Sequence, residues 1–192
     1  NLAGPPIYSF PSPARWTSTL PKFPRKRQAV KIKIFGERNT STNALKEMLE
    51  TNSASRVLPS TAIELDAGIR PRLARAQKLR LPQSLRERMS DRVFEARSPL
   101  EAWKHRLTDF ENLAEFADCH LIFCVRHPAS WVFGLPRRPY HIHGRPAKTL
   151  DAFLDKRWRT VGREGLGRSK PSAPMLYLRK MAAFVRVQAH LK

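Results

Sequence analysis

An alternation of apolar and basic residues opens the regular part of the sequence. Positions 30–35 read Val-Lys-Ile-Lys-Ile-Phe, and an alternating run of this kind predicts a β-strand. Polar, turn-rich residues follow at 36–43, and Leu45, Met48 and Leu49 then fall on one face of a helix. A strand, a loop and a helix within about 20 residues predict the start of a βα unit.

The rest of the chain repeats this alternation of strand and helix patterns. Short apolar runs predict three further strands, at 56–58, 121–125 and 175–178. Helical spacing of apolar residues predicts helices at 110–117, 150–158 and 181–189. A basic, partly helical insertion is expected at about 68–97, with a break at Pro82. Strands that alternate with helices predict an α/β fold, with a parallel sheet covered by helices on both faces.

The first 29 positions differ in composition from the remainder of the chain. They hold six prolines and no acidic residue, and they end close to the basic run Arg25-Lys-Arg27. This composition predicts an extended, mostly disordered arm in front of one α/β domain at 30–192. The aromatic residues Tyr8, Phe10 and Trp16 leave docking of the arm on the domain as an alternative.

The charge balance narrows the range of partners. The 192 residues carry a formal net charge of +20, and an excess of this size predicts an anionic partner. Nucleic acid, a phosphorylated cofactor, an acidic glycan and an anionic membrane surface all satisfy that expectation. Two cysteines exclude a disulfide-rich scaffold, and the longest apolar run, 121–125, is too short to span a bilayer. We expect a soluble chain with the cytoplasm as the favoured compartment, although Asn1 in place of methionine leaves an upstream signal or anchor open.

The polar loop after the first predicted strand is the strongest candidate for a binding site. Such a loop lies where open parallel sheets bind ligands, and it points backbone N–H groups at an anion. Thr40, Ser41, Thr42 and Asn43 add hydroxyl and amide groups, while Arg38 adds a planar fork suited to phosphate or sulfate. An ordinary helix N-cap explains the same residues. The nucleotide triphosphatase pattern is excluded, because Ser41 and Thr42 stand where it requires glycine and lysine.

Four motifs in order resemble one branch of the sulfotransferases that use 3′-phosphoadenosine-5′-phosphosulfate (PAPS). The loop at 35–45 is similar to a 5′-phosphosulfate loop that reads G-E-R-x-S-G-T-N in that branch. Residues 101–105 resemble its W-K-H segment, and residues 121–131 resemble its V-R-x-P-x-x-W strand and turn at the 3′-phosphate site. Residues 135–141 resemble the R-R-P-x-H motif that follows.

The resemblance implies a three-layer P-loop-like fold with a parallel sheet and helices on both faces. It implies a sulfotransferase that binds PAPS, requires no metal, and transfers the sulfuryl group to a hydroxyl or amine of an unidentified acceptor. The basic charge of the chain favours an anionic acceptor. The implied 5′ loop consists of Arg38, Asn39, Thr40, Ser41, Thr42 and Asn43. The implied 3′-phosphate site falls on Arg126 and Gly134.

Sulfuryl transfer needs cations for the leaving phosphate and a base for the acceptor proton. Arg38 and Lys104 are the candidate cations. His105 is the first candidate base because it lies in the W-K-H motif, and Glu37 and His141 follow. The alternative for His105 is a histidine that is packed in the core or exposed at the surface. The alternative for Lys104 is a solvated surface charge.

The sequence departs from the family pattern at four positions. Ser41 replaces a glycine of the 5′ loop, and Gly134 replaces the serine of the 3′-phosphate site. Arg106 replaces the glycine after W-K-H, and Asn39 stands where many sulfotransferases carry a lysine. These departures leave an enzyme with weakened activity, and a domain that binds without catalysis, as open alternatives.

A basic nucleic-acid-binding or other polyanion-binding protein without catalysis is the rival interpretation. The arm, the insertion at 68–97 and the C-terminal segment all support it by their charge. No RNA-binding or helix-turn-helix signature accompanies that charge. No zinc site is expected, since Cys119 and Cys124 form no C-x-x-C pair.

Overall fold

Strand β1 (Lys31–Gly36) is the centre of a small parallel sheet in the structure, a computed structural model that describes residues 29–136, 147–158, 160–167 and 169–190. It pairs with β2 (Arg56–Val57) on one side and with β3 (Cys119–Cys124) on the other, so the strand order is β2-β1-β3. Gly36 pairs with Cys124 in the register, and β1 and β3 therefore end at the same edge of the sheet. The predicted strands at 30–35, 56–58 and 121–125 are confirmed, with bounds shifted by one or two residues.

Both faces of β1 are buried. Ile32 and Ile34 lie on one face, and Lys33 and Phe35 lie on the other. The buried ammonium of Lys33 donates to the carbonyl of Pro59 (2.5 Å), and burial lowers its pKa to about 7. Alternation with lysine is typical of a strand that has one face exposed to solvent, whereas Lys33 is buried here.

Seven α-helices lie within the described residues. They are α1 (Thr42–Asn52), α2 (Ala62–Leu65), α3 (Ile69–Lys78), α4 (Gln83–Val93), α5 (Pro128–Gly134), α6 (Leu150–Asp155) and α7 (Ala173–His190). Helix α1 follows β1 and α5 follows β3, so two strand-to-helix connections leave the same edge of the sheet. The α/β class expected from the sequence is confirmed in this form, a three-stranded parallel sheet with helices.

Three clusters of buried side chains hold the helices in place. The first contains Trp131 of α5 and Leu176 of α7. The second places Trp103 among apolar residues of α2, α3 and α4, and the third contains Phe35 of β1 and Phe184 of α7. Helix α7 therefore takes part in two clusters and connects the sheet to the helices after β3.

The strand expected at 175–178 is wrong, because these residues belong to the long helix α7. The run Met-Leu-Tyr-Leu continues a helical pattern, in which Leu176, Lys180, Ala183 and Val187 are all buried. A short apolar run fits a buried strand and a buried helix equally well, and the spacing further along the chain decides between them. The helix expected at 181–189 is the C-terminal part of α7.

Other expectations hold in part. The basic segment at about 68–97 contains helices α3 and α4, and Pro82 stands directly before α4. That this segment is an insertion stays a prediction. The helix expected at 110–117 is wrong in extent, since only a single 3₁₀ turn forms, at Ala114–Phe116. Phe110 and Phe116 instead pack on Phe35, with ring centroids 5.6 and 6.4 Å from it. The helix expected at 150–158 ends at Asp155. The arm expected at 1–29 lies outside the described residues except for Ala29.

Candidate functional site

The loop after β1 is held in a shape that local sequence alone would not favour. A β-carbon at Gly36 would lie 2.6 Å from Oγ1 of Thr40 and 2.8 Å from Cβ of Cys124, so only glycine fits there. Asn39 and Ser41 both adopt the left-handed backbone conformation, with φ of 61° and 62°. Non-glycine residues rarely adopt that conformation, because it costs roughly 1–2 kcal/mol. Glycine at the position of Ser41 would adopt this conformation without that cost.

A pocket of about 780 Å³ lies at this edge of the sheet. Most of the site residues expected from the sequence line it, namely Arg38, Asn39, Ser41, Thr42, Asn43, Lys104, His105 and Arg126. Thr40 turns inward instead, and its hydroxyl donates to the carbonyl of Glu37 (2.5 Å). Gly134 lies behind Arg126 rather than on the pocket wall. The two halves of the expected site therefore face one cavity.

A larger groove of about 1620 Å³ runs along the outer side of β3 and α7. Apolar residues such as Leu121, Phe184 and Val185 dominate its lining, and none of the expected site residues lines it. Size alone favours this groove, but polar groups that converge on one point distinguish a binding site from an uncovered apolar edge. The smaller pocket is therefore the better candidate.

Arg38 is engaged by carboxylates beneath the pocket. Its two terminal nitrogens donate to the two oxygens of Glu164 at 2.7 and 2.8 Å, and Nη1 also donates to Glu37 at 2.7 Å. Lys180 reaches both acids, with its ammonium 2.5 Å from each. All four side chains are at most 1% exposed. Two positive and two negative groups thus form a buried, neutral cluster, which we call the floor cluster.

The floor cluster connects three parts of the chain. Glu37 and Arg38 belong to the loop after β1, Glu164 lies in the 3₁₀ turn Gly162–Glu164, and Lys180 lies on α7. Lys180 also donates to the carbonyl of His105 (2.5 Å). Burial alone would raise the pKa of Glu164, but the charges of Arg38 and Lys180 outweigh it and hold that pKa well below its usual range.

Sequence reasoning missed Glu164 and Lys180. Glu164 lies in the buried 3₁₀ turn Gly162–Glu164 and is fully covered. One signal was present in the sequence: Glu164 is the only acidic residue between positions 156 and 192, against ten basic ones. A lone acid in a basic segment is a candidate for a buried ion pair, because fully buried acids are almost always paired.

His105 lies beside the loop with a defined hydrogen-bonding state. Its Nδ1 is 2.6 Å from the carbonyl oxygen of Gly36, and since a carbonyl only accepts, Nδ1 carries the proton. Burial, together with the charges of Arg38, Lys180 and Lys104, holds the pKa of His105 well below its usual range. The ring is therefore neutral near pH 7, and Nε2 holds a free lone pair.

Lys104 ties the pocket wall to helix α1. Its ammonium donates to the side-chain oxygen of Asn43, and its carbonyl accepts from the backbone N–H of Gly36 (2.9 Å). Burial lowers the pKa of Lys104. No carboxylate of the described residues lies within ion-pair distance of it, although the charge of Glu64 acts on it from farther away.

Arg126 approaches the same loop from the end of β3. Its Nη1 lies 3.4 Å from the carbonyl of Asn39, and the side chain is exposed. Its own carbonyl accepts from the hydroxyl of Tyr177 on α7. Trp131 of α5 is fully buried and donates from its indole nitrogen to the carbonyl of Arg38 (2.9 Å). These contacts fasten the start of α5 to the loop after β1.

Trp103 and Arg163 close the pocket on the side of α3 and α4. The guanidinium carbon of Arg163 lies 4.5 Å from the centre of the Trp103 ring, and that of Arg38 lies 5.4 Å from it. Arg163 donates to Glu87 and Asp91 of α4, at 2.7 Å each. Trp103 is both part of the apolar core and part of the pocket lining.

Two of the expected features cannot be placed in this site. His141, the third candidate base, lies outside the described residues. Glu37 is described, but its carboxylate is held by Arg38 and Lys180. Within the described part of the chain, no group of three or more His, Cys, Asp and Glu side chains is arranged to hold a metal ion. None of the helices described is long and apolar enough to cross a bilayer.

We compared the chain with known proteins and found no significant match. No protein-family model matches the sequence, and no curated protein or solved structure matches it significantly.

Proposed function

We propose that the pocket binds PAPS and that the protein is a sulfotransferase, transferring the sulfuryl group to a hydroxyl or amine acceptor. In this proposal the parallel sheet belongs to a three-layer P-loop-like fold. The loop after β1 receives the 5′-phosphosulfate, and Arg126 receives the 3′-phosphate.

One observation carries the proposal. The two loops that resemble the 5′ and 3′ sites of the family are 87 residues apart in sequence, from Asn39 to Arg126, yet their side and main chains meet in the structure. They do so because β1 and β3 are parallel neighbours in register. A ligand with phosphates at both ends requires that proximity, whereas a chance match of either motif does not.

The residues present fit an anionic ligand. The side-chain nitrogen of Asn39 is buried in the loop and has no hydrogen-bond acceptor among the described residues. A buried donor without a partner costs about 1–3 kcal/mol, which an incoming oxygen would recover. Lys104 and Arg126 supply positive charge with no described carboxylate within ion-pair distance, and about 780 Å³ suits a nucleotide-sized ligand.

Arg38 has a supporting role in this proposal. Its guanidinium is already engaged by Glu37 and Glu164, so in our proposal it shapes the loop from below. Lys104, Arg126, Asn39 and the backbone N–H groups at the start of α1 make the direct contacts. The expectation that Arg38 binds the anion itself stays a prediction.

The proposed chemistry is an in-line transfer. The bond between sulfur and the bridging phosphate oxygen breaks while a bond forms between sulfur and the acceptor oxygen or nitrogen. Charge that develops on the bridging oxygen is stabilised by Lys104 and the loop donors. The acceptor proton goes to Nε2 of His105. The ring is neutral and its one proton is on Nδ1, so Nε2 is able to accept the proton. The carbonyl of Gly36 keeps the ring in the orientation and tautomer that this step needs.

Calorimetry with 3′-phosphoadenosine-5′-phosphate tests the nucleotide site without knowledge of the acceptor. We expect Arg126→Ala to lower its affinity by about tenfold to a hundredfold, the loss of a charged hydrogen bond of roughly 1.5–3 kcal/mol. Binding of adenosine-5′-phosphate, which lacks the 3′ group, should change little. Arg56→Ala, a change at an exposed arginine of β2, is the control. Equal losses for both nucleotides would remove Arg126 from the 3′ site, and no binding by the unmodified chain would refute the proposal.

A further inference from the structure

The outer side of β3 is an open edge of the sheet. Among the described residues, β3 pairs only with β1, and its other side faces the groove of about 1620 Å³ that it forms with α7. Val30, Val125 and Val185 line this groove and are 43%, 61% and 64% exposed, whereas parallel sheets are normally covered. An apolar groove beside a row of unpaired backbone N–H and C=O groups fits an added strand.

The chain itself enters this groove from its N-terminal side. Ala29, Val30 and Lys31, the first three residues that the structure describes, all line it. Because Lys31 pairs with Cys119, the 28 residues before Ala29 join the sheet at the end where β3 begins. A short tether gives such a segment an effective concentration on the order of millimolar at the groove, which a separate partner lacks.

The groove is acidic next to the start of β3. Positions 107–125 hold four acidic residues and no lysine or arginine, in a chain with a net charge of +20. Three of these acids, Glu111, Glu115 and Asp118, are exposed and form no ion pair with a described residue, and we call them the acidic rim. Asp118 lines the groove, and both neighbours of Glu115 in the chain line it as well.

The arm before Ala29 has the opposite charge. It contains five lysines and arginines and no acidic residue, and three of the five form the run Arg25-Lys-Arg27. From Arg27 to Val30 an extended chain spans at most about 11 Å, and neighbouring strands lie about 4.8 Å apart. The basic run therefore reaches Asp118, which precedes the partner of Lys31 in the register.

Residues 14–20 are the part of the arm that is best suited to pair with β3. They read Ala-Arg-Trp-Thr-Ser-Thr-Leu and form the longest stretch without proline in the first 28 positions. Proline cannot donate to a strand ladder, while tryptophan and threonine favour strands. The nine residues at 21–29 span up to about 30 Å, which exceeds the roughly 10 Å of two strand spacings between β1 and the outer side of β3.

We propose that residues 14–20 pair with β3 as an antiparallel edge strand, with Trp16 in the apolar groove and Arg25-Lys-Arg27 on the acidic rim. The pairing is antiparallel because residues 21–29 lead directly to the end of the sheet at which β1 and β3 both begin. An antiparallel edge strand on an otherwise parallel sheet is common. The inference is independent of nucleotide binding, since no residue lines both the groove and the proposed nucleotide pocket.

Fluorescence of the full chain tests this pairing through Trp16. The other three tryptophans are at most 4% exposed, so quenching by acrylamide, a neutral probe, reports on Trp16, and Trp16→Phe gives the background. A synthetic peptide of residues 1–28 gives the value for an undocked arm. We expect docked molecules to outnumber undocked ones by at least about ten to one, so that acrylamide quenches Trp16 several-fold less in the full chain than in the peptide.

Neutralisation of the acidic rim tests the role of charge. Glu111→Gln/Glu115→Gln/Asp118→Asn should weaken docking by about fivefold or more, as the loss of three exposed ion pairs predicts, and added salt should act in the same direction. The matched control neutralises three exposed acids that do not line the groove and should leave quenching unchanged: Glu47→Gln/Glu95→Gln/Asp151→Asn. Equal effects of the two triple variants would overturn the proposal.

Two adjacent prolines test the strand pairing itself. Neighbouring backbone N–H groups point to opposite edges of a strand, so Thr17→Pro/Ser18→Pro removes one that faces β3 in any register. This variant should make Trp16 as quenchable as in the peptide, whereas Thr17→Ala/Ser18→Ala should have a smaller effect. Equal quenching in the two variants would contradict the strand.

Dilution distinguishes the other occupants of the groove. Docking within one chain does not depend on protein concentration, so quenching of Trp16 should stay constant on dilution. Quenching that increases as light scattering shows a dimer dissociating would place a second copy in the groove. Quenching equal to that of the peptide would leave the arm undocked, and either result would overturn the proposal.

Discussion

At the scale of single residues, Ser41 is the clearest point of strain in the site. It stands before α1 with φ of 62° and makes no side-chain capping hydrogen bond. Replacement by glycine relieves a conformational cost of roughly 1–2 kcal/mol, partly offset by the greater freedom of glycine in the unfolded chain. We expect Ser41→Gly to raise the free energy of unfolding by about 1 kcal/mol in urea denaturation.

Ser53, at the other end of α1, provides the matched control. Its φ is −142°, and its hydroxyl donates to the carbonyl of Leu49 (2.7 Å). Ser53→Gly should therefore lower stability by a few tenths of a kcal/mol to about 1 kcal/mol. Destabilisation by Ser41→Gly as well would mean that the left-handed conformation is not a source of strain in this loop.

Gly134 offers a second residue-scale prediction. A β-carbon at this position would lie 3.4 Å from Nη1 of Arg126, which leaves room for a small side chain. In the proposed site, Gly134→Ser adds a hydroxyl next to Arg126, the residue proposed to bind the 3′-phosphate. We expect affinity for 3′-phosphoadenosine-5′-phosphate to increase about fivefold, as one added hydrogen bond of about 1 kcal/mol predicts.

Gly134→Ala separates the hydroxyl from the added carbon. Both variants add the same β-carbon and both replace a helical glycine, so a general gain in helix stability would appear in both. Only serine should strengthen nucleotide binding. The same increase with alanine would show that the helix, and not the hydroxyl, is responsible.

At the scale of elements, the floor cluster couples the loop after β1 to α7. Removal of Lys180 leaves Glu37 and Glu164 buried with Arg38 as their one remaining cationic partner in the cluster. Breaking a buried ion pair on one side typically costs about 3–5 kcal/mol. We expect Lys180→Met to lower the free energy of unfolding by an amount in that range, measured by urea denaturation.

A surface ion pair formed by Arg186 of the same helix is the control for this effect. Arg186 lies 3.1 Å from Asp109, and both side chains are more than half exposed. Arg186→Met should cost less than about 1 kcal/mol. The double variant Glu164→Gln/Lys180→Met should lose less stability than the two single variants together, because both remove parts of one network. Additive losses would show that Glu164 and Lys180 do not interact.

At the scale of the whole molecule, two buried groups predict how stability depends on pH. His105 has a lowered pKa in the folded chain, so the unfolded chain takes up its proton first as pH falls through about 6.5. Its contribution is complete above that pH and decreases below it. Glu164 also has a lowered pKa, so its contribution is present above about pH 4.5 and is lost as pH falls further. Below neutral pH, we expect these two groups to make stability fall in two stages.

Two variants identify the residue that causes each stage. His105→Asn retains a donor for the carbonyl of Gly36 but does not titrate, so the stage below about pH 6.5 should become flatter. His120→Asn, at an exposed position of β3, should leave the profile unchanged. Glu164→Gln should flatten the stage below about pH 4.5. An unchanged profile in His105→Asn would mean that His105 is not held neutral in the folded chain.

Much of the site's framework could be predicted from sequence because it is local. The strand, loop and helix at 31–52 are consecutive, and the periodicity of their side chains changes where the structure changes. The order of motifs also indicated that the loop after β1 and Arg126 belong together. Parallel pairing of β1 with β3 gives the physical reason, since it brings the carboxyl ends of both strands to one edge.

Only the tertiary structure decided how the charges within that framework are used. Arg38 pairs with Glu164, 126 positions later, and such a contact leaves no trace in local periodicity or composition. Whether residues 175–178 form a strand or a helix depended in the same way on the burial of a whole helix face. The sequence by itself determined which elements form around the loop and which residues can bind an anion. The fold determined which cations are neutralised by buried carboxylates and which face the pocket, because that depends on distances between segments remote in the chain.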